Sequence, residues 1–504
     1  MPSLKDAAMN VLLVYPEFPD TFWSFKHALK FIHKPANSPP LGLLTVAAML
    51  PPDWNVRLAD ANVRPLSDAD LEWADCAFIS AMGVQRAAAS AIIARCKAAG
   101  VRVVAGGPLF SAQHAEFPEV DHFVLDEAEA ALPAFLADLA AGEPRPLYRA
   151  AEFPDIECSP VPRWELADLR RYSQLSVQFS RGCPFDCEFC DITALYGHRP
   201  RTKSARQVIA ELDALCGLGW HGPVFFVDDN FIGNKRRLKE ELLPALIAWR
   251  KGRRGMPFNT EASINLADDP ELMRMMVEAG FREVFVGIET PEPEGLAECS
   301  KKQNLHRDLV ADALRIQRAG LQVQGGFILG FDSDSPGTVE RIADYIQRTG
   351  IVTAMVGLLQ AMPGTKLYER LKRADRLVED TSGDNVDGTT NIVPLAGHEA
   401  LRAWYAELLR RLYAPKPYYD RVRRFLRDYR PPRLKARADI GFYREQTLAF
   451  LRSIVRLGIV GKERVQYWKL FWWTAFRRPR SMPLAITFAI YGHHFRKVVE
   501  LHVG

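Results

Sequence analysis

Three cysteines crowd one short stretch, Cys183-Pro-Phe-Asp-Cys187-Glu-Phe-Cys190, directly after the strand-like run Leu175–Ser180. Whatever this chain folds into must gather three thiols on one loop at a strand end. The spacing C-x3-C-x2-C is not the paired pattern of a zinc knuckle, and the nearest further ligand, His198, has no second histidine at ligand spacing. Three thiolates can hold three corners of a four-iron, four-sulfur cluster, whereas an electronically closed cluster takes four. One iron is then open to a ligand, and chemistry starts at that corner. Zinc, or inert buried thiols, is the competing reading.

The flanking sequence reads as a β/α series over residues 151–376. Strands are expected at Leu175–Ser180, Val224–Val227, Asn259–Ser263, Glu283–Ile288, Val323–Leu329 and Ala354–Gln360. Helices at Ala205–Leu218, Pro270–Ala279 and Leu305–Ala319 separate them. Six such units make a partial (β/α)6 barrel, whose reacting groups sit on the loops after the strands. Those ends are polar: Asp228-Asp229-Asn230, then Glu261 and Ser263, Gly287-Ile288-Glu289, the glycine run Gly325–Gly330, and Gln360. Asp and Asn after a strand also cap helices. For Asp228 and Asn230 the two readings stand level, whereas Glu289, before Thr290-Pro291, reads as a ligand.

Residues 1–150 alternate in the same way. Apolar runs at Val11–Tyr15, Val56–Ala59, Cys76–Ala81, Val101–Ala105 and His122–Leu125 are separated by helical stretches Leu41–Leu50, Arg86–Ala99 and Glu127–Ala141. This predicts a doubly wound parallel sheet, α/β and Rossmann-like, with ligands beyond the carboxyl ends of its strands. Those ends carry Asp60-Ala61-Asn62, Ser80-Ala81-Met82-Gly83 and Gly106-Gly107-Pro108. No G-x-G-x-x-G follows the first strand, so a dinucleotide is not expected. Residues 150–170 are proline-rich and read as a linker.

Residues 377–504 differ in kind. After a polar loop at 379–391 the pattern is helical, with Trp404, Leu408 and Leu412 at helical spacing. Residues 401–504 hold 23 Lys/Arg against 7 Asp/Glu, a net +16 set against −12 for residues 1–400, and 19 of the 52 aromatics. Such a helical C-terminal module either packs its aromatics on the barrel, leaving solvated arginines, or forms a groove for a large apolar or anionic substrate, or a membrane-surface patch. Nucleic acid would also suit arginines among aromatics, but no nucleic-acid module is recognisable and none is expected. Five of the eight cysteines are scattered singly, as in a reducing compartment. The first residues lack a signal-peptide core, and no apolar run reaches the ~18 residues of a membrane span. A cytoplasmic enzyme is expected, with peripheral membrane contact through the basic module.

The cysteine triplet, with Phe189 before its last thiol, resembles the signature of radical S-adenosylmethionine (SAM) enzymes. The first domain resembles the cobalamin-binding domain that precedes the barrel in one branch of that family. The likeness rests on Pro39-Pro40-Leu41-Gly42, Gly106-Gly107-Pro108 and Asp126-Glu127-Ala128-Glu129. It departs at the D-x-H-x-x-G stretch, where Asn62 stands in the histidine position. With its basic aromatic tail, the whole arrangement resembles a group that includes hopanoid-methylase-like proteins.

The resemblance implies a 4Fe-4S cluster on Cys183, Cys187 and Cys190, with SAM at its open iron, and cobalamin as a further cofactor. It assigns SAM contacts to Phe189, Asp229, Glu261, Ser263, Glu289 and Gln360. Corrin contacts fall to Asn62, Ser80, Gly106, Gly107 and Pro108, with no histidine beneath the cobalt. The implied activity is C-methylation of an unactivated carbon on a large, lipid-like, hydrophobic small molecule. One SAM would methylate reduced cobalt, and a second would be cleaved to the radical that opens the C–H bond. A reductant protein of flavodoxin or ferredoxin type is implied as partner. Radical cyclisation, carbon–carbon coupling or oxidation without methyl transfer is the alternative, and a non-catalytic cluster- or corrin-binding sensor the third reading.

Overall fold

The computed structural model describes residues 9–253, 255–378, 382–384, 386–430 and 440–502. Six strands, β1 (Asn10–Tyr15), β2 (Asn55–Asp60), β3 (Cys76–Ser80), β4 (Arg102–Gly106), β5 (His122–Val124) and β6 (Leu147–Tyr148), form one parallel sheet in the order β2-β1-β3-β4-β5-β6. Its central strands are apolar throughout because helices cover both faces. Val11 and Leu13 pack towards Leu43, Leu132 and Phe135, while Leu12 and Val14 pack towards Ile92, Ile93 and Phe110. The pair β6 was not foreseen: two residues between prolines and glutamate carry no periodicity.

The second sheet comprises β7 (Leu175–Val177), β10 (Val224–Phe226), β11 (Phe258–Glu261), β12 (Phe281–Glu289), β13 (Gln322–Leu329) and β14 (Ala354–Leu358), all parallel, in the order β14-β13-β12-β11-β10-β7. Between β7 and β10 lies an antiparallel pair, β8 (Ser180–Arg181) with β9 (Arg201–Thr202). The run expected as one strand over Leu175–Ser180 is therefore broken. The cause is Asp228, which accepts from Phe179 N at 3.2 Å and from Ser180 N and Oγ, turning the chain out of the sheet. Along the strands, Phe225, Asn259, Glu261, Glu283, Phe285 and Gln324 are half-buried, while alternate neighbours such as Val224, Phe226, Val284 and Val286 are sealed against helices. The half-buried set faces the barrel lumen.

Six strands do not close a barrel. A segment of the first domain, residues 21–37, crosses the open side. Trp23 meets Phe285 of β12 edge-on at 5.4 Å, Ala36 bridges Tyr172 just before β7, and Phe22 stacks at 4.2 Å on Phe495 of the last helix, Met482–His502. The proline-rich connection is packed rather than loose: Trp164 is buried, and Arg163 N donates to Leu44 O at 3.0 Å.

The C-terminal segment is helical, with His398–Tyr413, Pro415–Asp428, Ile440–Ser453, Arg464–Arg477 and Met482–His502. Its inner aromatics pack on the barrel: Tyr405 Oη donates to Val356 O at 3.2 Å, Tyr413 Oη to Ala354 O at 2.5 Å and Tyr429 Oη to Gly320 O at 3.2 Å. The loop expected at 379–391 is present where described; Asn391 holds both the N–H and the C=O of Ala361. Residues 379–381 and 385 lie outside the described residues. Among the described residues no helix is long and apolar enough to cross a membrane.

Candidate functional site

The β8–β9 pair presents the cysteine loop at the carboxyl end of β7. Gly182 opens it with φ +93°, and a Cβ there would lie 2.9 Å from Gly197 O and 3.1 Å from Arg199 O, so only glycine fits. All three cysteines are of intermediate exposure. Asn230 Nδ2 approaches Cys183 Sγ at 3.9 Å, and Gln303 Nε2 approaches Cys187 Sγ at 3.7 Å. Burial pushes the Cys183 and Cys190 thiols up, the reverse of what bound iron imposes. Three thiols on one loop, with N–H groups aimed at two of the sulfurs, fit a cluster held at three corners.

The strand ends surround this loop. Asp228 does not cap a helix; it ties down the turn before the cysteines, and burial pushes its carboxyl up to about 7. Asn230 does not cap either: its Oδ1 accepts from Ser263 N at 3.2 Å and its Nδ2 donates to Ser263 Oγ at 3.2 Å. The capping alternative is replaced by a β10–β11 tether, and Asn234 caps the next helical turn instead. Asp229 accepts from Gly182 N at 3.1 Å and is raised to about 6 by burial. Glu261, deep in the lumen, is raised to about 8 by burial and then by Asp229 and Asp228. Three neighbouring carboxyls that resist ionisation together make a seat for a cation.

Glu289 ends β12 in the left-handed region, φ +64°, after a register slip at Gly287/Glu289. Its carboxylate pairs with Lys301 at 2.6 Å, both side chains being nearly buried. A Cβ on Gly287 would run into the Glu289 carboxylate and lie 2.9 Å from Lys301 Nζ. Lys301 Nζ also stands 6.0 Å from the Phe189 ring, and its positive charge is reinforced by Glu289, Cys187 and Cys190 against the opposing effect of burial. Gln360 Nε2 donates to Asp384 O at 3.0 Å and Thr389 O at 3.3 Å, tying the sixth strand end to the loop that follows.

At the strand ends of the first domain two glycines leave no room for a side chain. Gly107 has φ +88° and a Cβ on it would sit 2.5 Å from Ser80 Oγ; one on Gly106 would sit 2.5 Å from Val124 O. Leu109 N, just past Pro108, donates to Ala81 O at 3.0 Å and closes this turn against β3. Asn62 spends its amide within the loops, accepting from Phe18 N at 2.8 Å and donating to Pro16 O at 3.1 Å and Asp60 Oδ1 at 2.8 Å. A glycine-paved edge with no histidine in these loops fits a macrocycle that would take no imidazole ligand from them.

Sequence reasoning missed the clamp between the domains. Arg181, two residues before Cys183, donates to Glu127 at 2.6 Å and to both oxygens of Glu129 at 2.8 and 3.0 Å; Arg201 donates to Glu127 at 2.6 Å. Burial opposes ionisation of Glu129, yet Arg181 outweighs it and holds the carboxyl down to about 2. The acidic helix start was visible in the sequence; its arginine partners, over 50 residues away, were not. Lys301 was missed as well, since Ser-Lys-Lys-Gln reads as a solvated turn.

Three family models match parts of this chain. Residues 33–136 match the B12 binding domain, 177–346 the Radical SAM superfamily and 365–503 a domain of unknown function, DUF4070. The uncharacterized methyltransferase sll1242 of Synechocystis sp. is 41% identical over 98% of this chain and 94% of its own length. The hopanoid C-2 methylase of Rhodopseudomonas palustris is 36% identical over 91% of this chain and 88% of its own. In fold, the chain is similar to TsrM from Kitasatospora setae, a radical SAM methyltransferase solved with cobalamin and a [4Fe-4S] cluster, at a TM-score of 0.59 and 15% identity, covering 98% of this chain and 100% of that one.

Proposed function

The chain belongs to the radical SAM superfamily, as a cobalamin-dependent methyltransferase using a 4Fe-4S cluster and SAM, and from that premise we propose that it methylates an unactivated carbon of a large polycyclic, lipid-like substrate. The observation that carries the substrate class is the likeness to the hopanoid C-2 methylase, which covers 91% of this chain and so extends beyond the first domain and the barrel.

In this reading Cys183, Cys187 and Cys190 hold three irons. Asp229, Glu261 and Ser263 receive the cationic amino end of SAM, and Glu289 accepts its ribose hydroxyls, with Phe189 and Gln360 flanking the nucleoside. Ser80, Gly106, Gly107 and Pro108 seat the corrin through backbone, and Asn62 holds the adjoining loop. Bound there, the cluster supplies the electron that cleaves SAM and cobalamin supplies the transferable methyl group. The Arg181–Glu127–Glu129 clamp keeps the two cofactor edges opposed, while Trp23 and Phe285 exclude water from the lumen. A reductant protein of flavodoxin or ferredoxin type delivers the electron.

The test is anaerobic incubation of the reconstituted full chain with SAM labelled in its methyl group and a polycyclic lipid extract. Label is expected in the lipid fraction. Deoxyadenosine formed while no product carries label would overturn methyl transfer; label only in water-soluble products would overturn the substrate class.

A further inference from the structure

The outer face of the last helices is unused by this reading. Ile440–Ser453 continues through Ile454–Ile459, turns, and returns as Arg464–Arg477. The inner side of this hairpin is packed: Phe450 stacks on Phe471 at 6.0 Å, and Trp468 Nε1 donates to Gly458 O at 2.9 Å. The outer side presents Leu451, Val455 and Ile459 on one limb, Val460 at the turn, and Trp472 and Phe476 on the other, from 51% exposed at Leu451 to 80% at Phe476. Intervals of four residues place each set on one helix stripe. Soluble proteins rarely leave so continuous an apolar surface uncovered.

Its rim selects the occupant. Arg456, Lys462, Arg464, Lys469, Arg477 and Arg480 are all exposed, whereas among described residues 445–480 the one exposed acid is Glu445. Stripes on both limbs suit a flat surface rather than a pocketed ligand. We infer that this hairpin docks in the plane of one leaflet of an anionic bilayer, its apolar stripes at the acyl boundary and its cations among phosphate headgroups. Arg452 Nη1 donates to Phe31 O at 2.6 Å and Arg456 lies 5.3 Å over the Phe31 ring, so the docked face is joined to the segment that closes the barrel. The docking surface stands on the helices alone; arrival of the apolar substrate from that leaflet rests on the function proposed above.

Vesicle flotation of the reconstituted full chain tests this. Binding is expected to vesicles of phosphatidylcholine with phosphatidylglycerol, not to phosphatidylcholine alone, and to weaken with salt. Ile459→Glu/Phe476→Glu should lower partitioning on the order of 100-fold, with far-UV circular dichroism and cluster absorbance unchanged. Lys462→Gln/Lys469→Gln should lower it about fivefold per charge. No flotation at low ionic strength, equal flotation of the glutamate variant, or a sedimentation dimer that this variant dissolves, without vesicle binding, each overturns the inference. Flotation without labelled lipid would sink the substrate reading and leave the surface standing; labelled lipid without flotation would do the reverse.

Discussion

Lys301 sits where a solvated lysine gains nothing: buried, 2.6 Å from Glu289 and facing the cysteine loop. Burying the pair is tolerated because each charge satisfies the other. Lys301→Met is expected to leave Glu289 buried and unpaired at a cost of about 3–5 kcal/mol, read as a lower denaturant midpoint of the apo protein. Cys187→Ala should remove cluster absorbance and SAM cleavage together; cleavage surviving in that variant would end the cluster assignment. Glu261 makes a pH prediction. A carboxyl raised on folding binds its proton more tightly in the native state, so its stabilising effect is full below the ordinary carboxylate range and lost as pH rises towards about 8. Glu261→Gln should therefore raise the apo melting temperature near pH ~8 and barely change it near pH ~5. A uniform shift at both would refute the burial of this group.

At the scale of elements, the β8–β9 pair carries both the cysteine loop and the arginines that grip the first domain. Arg181→Met should leave Glu129 without its cation and Glu127 with Arg201 alone, speed proteolysis within residues 150–170, and reduce cobalamin retention by about tenfold or more; unchanged retention would show that the clamp is dispensable. These elements also show what was legible beforehand. The long strands and helices, such as Gln322–Leu329 and Pro270–Ala279, announced themselves by period, and the polar strand ends fell where a barrel puts them. The break after Val177 did not, because Asp228 imposes it from 48 residues away. Neither did Lys301 or Arg181 as site residues: a cation's role depends on the acid it meets, and that meeting is tertiary. Asn62 was legible as a position but not as a bonded loop brace.

For the whole molecule, residues 21–37 matter most. Trp23 closes the lumen against Phe285, so Trp23→Ala should admit water and raise the ratio of deoxyadenosine to methylated product, with SAM cleavage retained. An unchanged ratio would remove the segment from the reaction chamber. This strap is anchored at its far side by the end of the chain: His494 Nε2 lies 2.9 Å from Phe22 O, across 472 residues of sequence. Cassette exchange is therefore closed to this architecture. A chimera that borrows the corrin domain alone imports a strap fitted to someone else's final helix. Divergence towards new substrates should leave paired substitutions at Phe22 and Phe495, inherited as one unit.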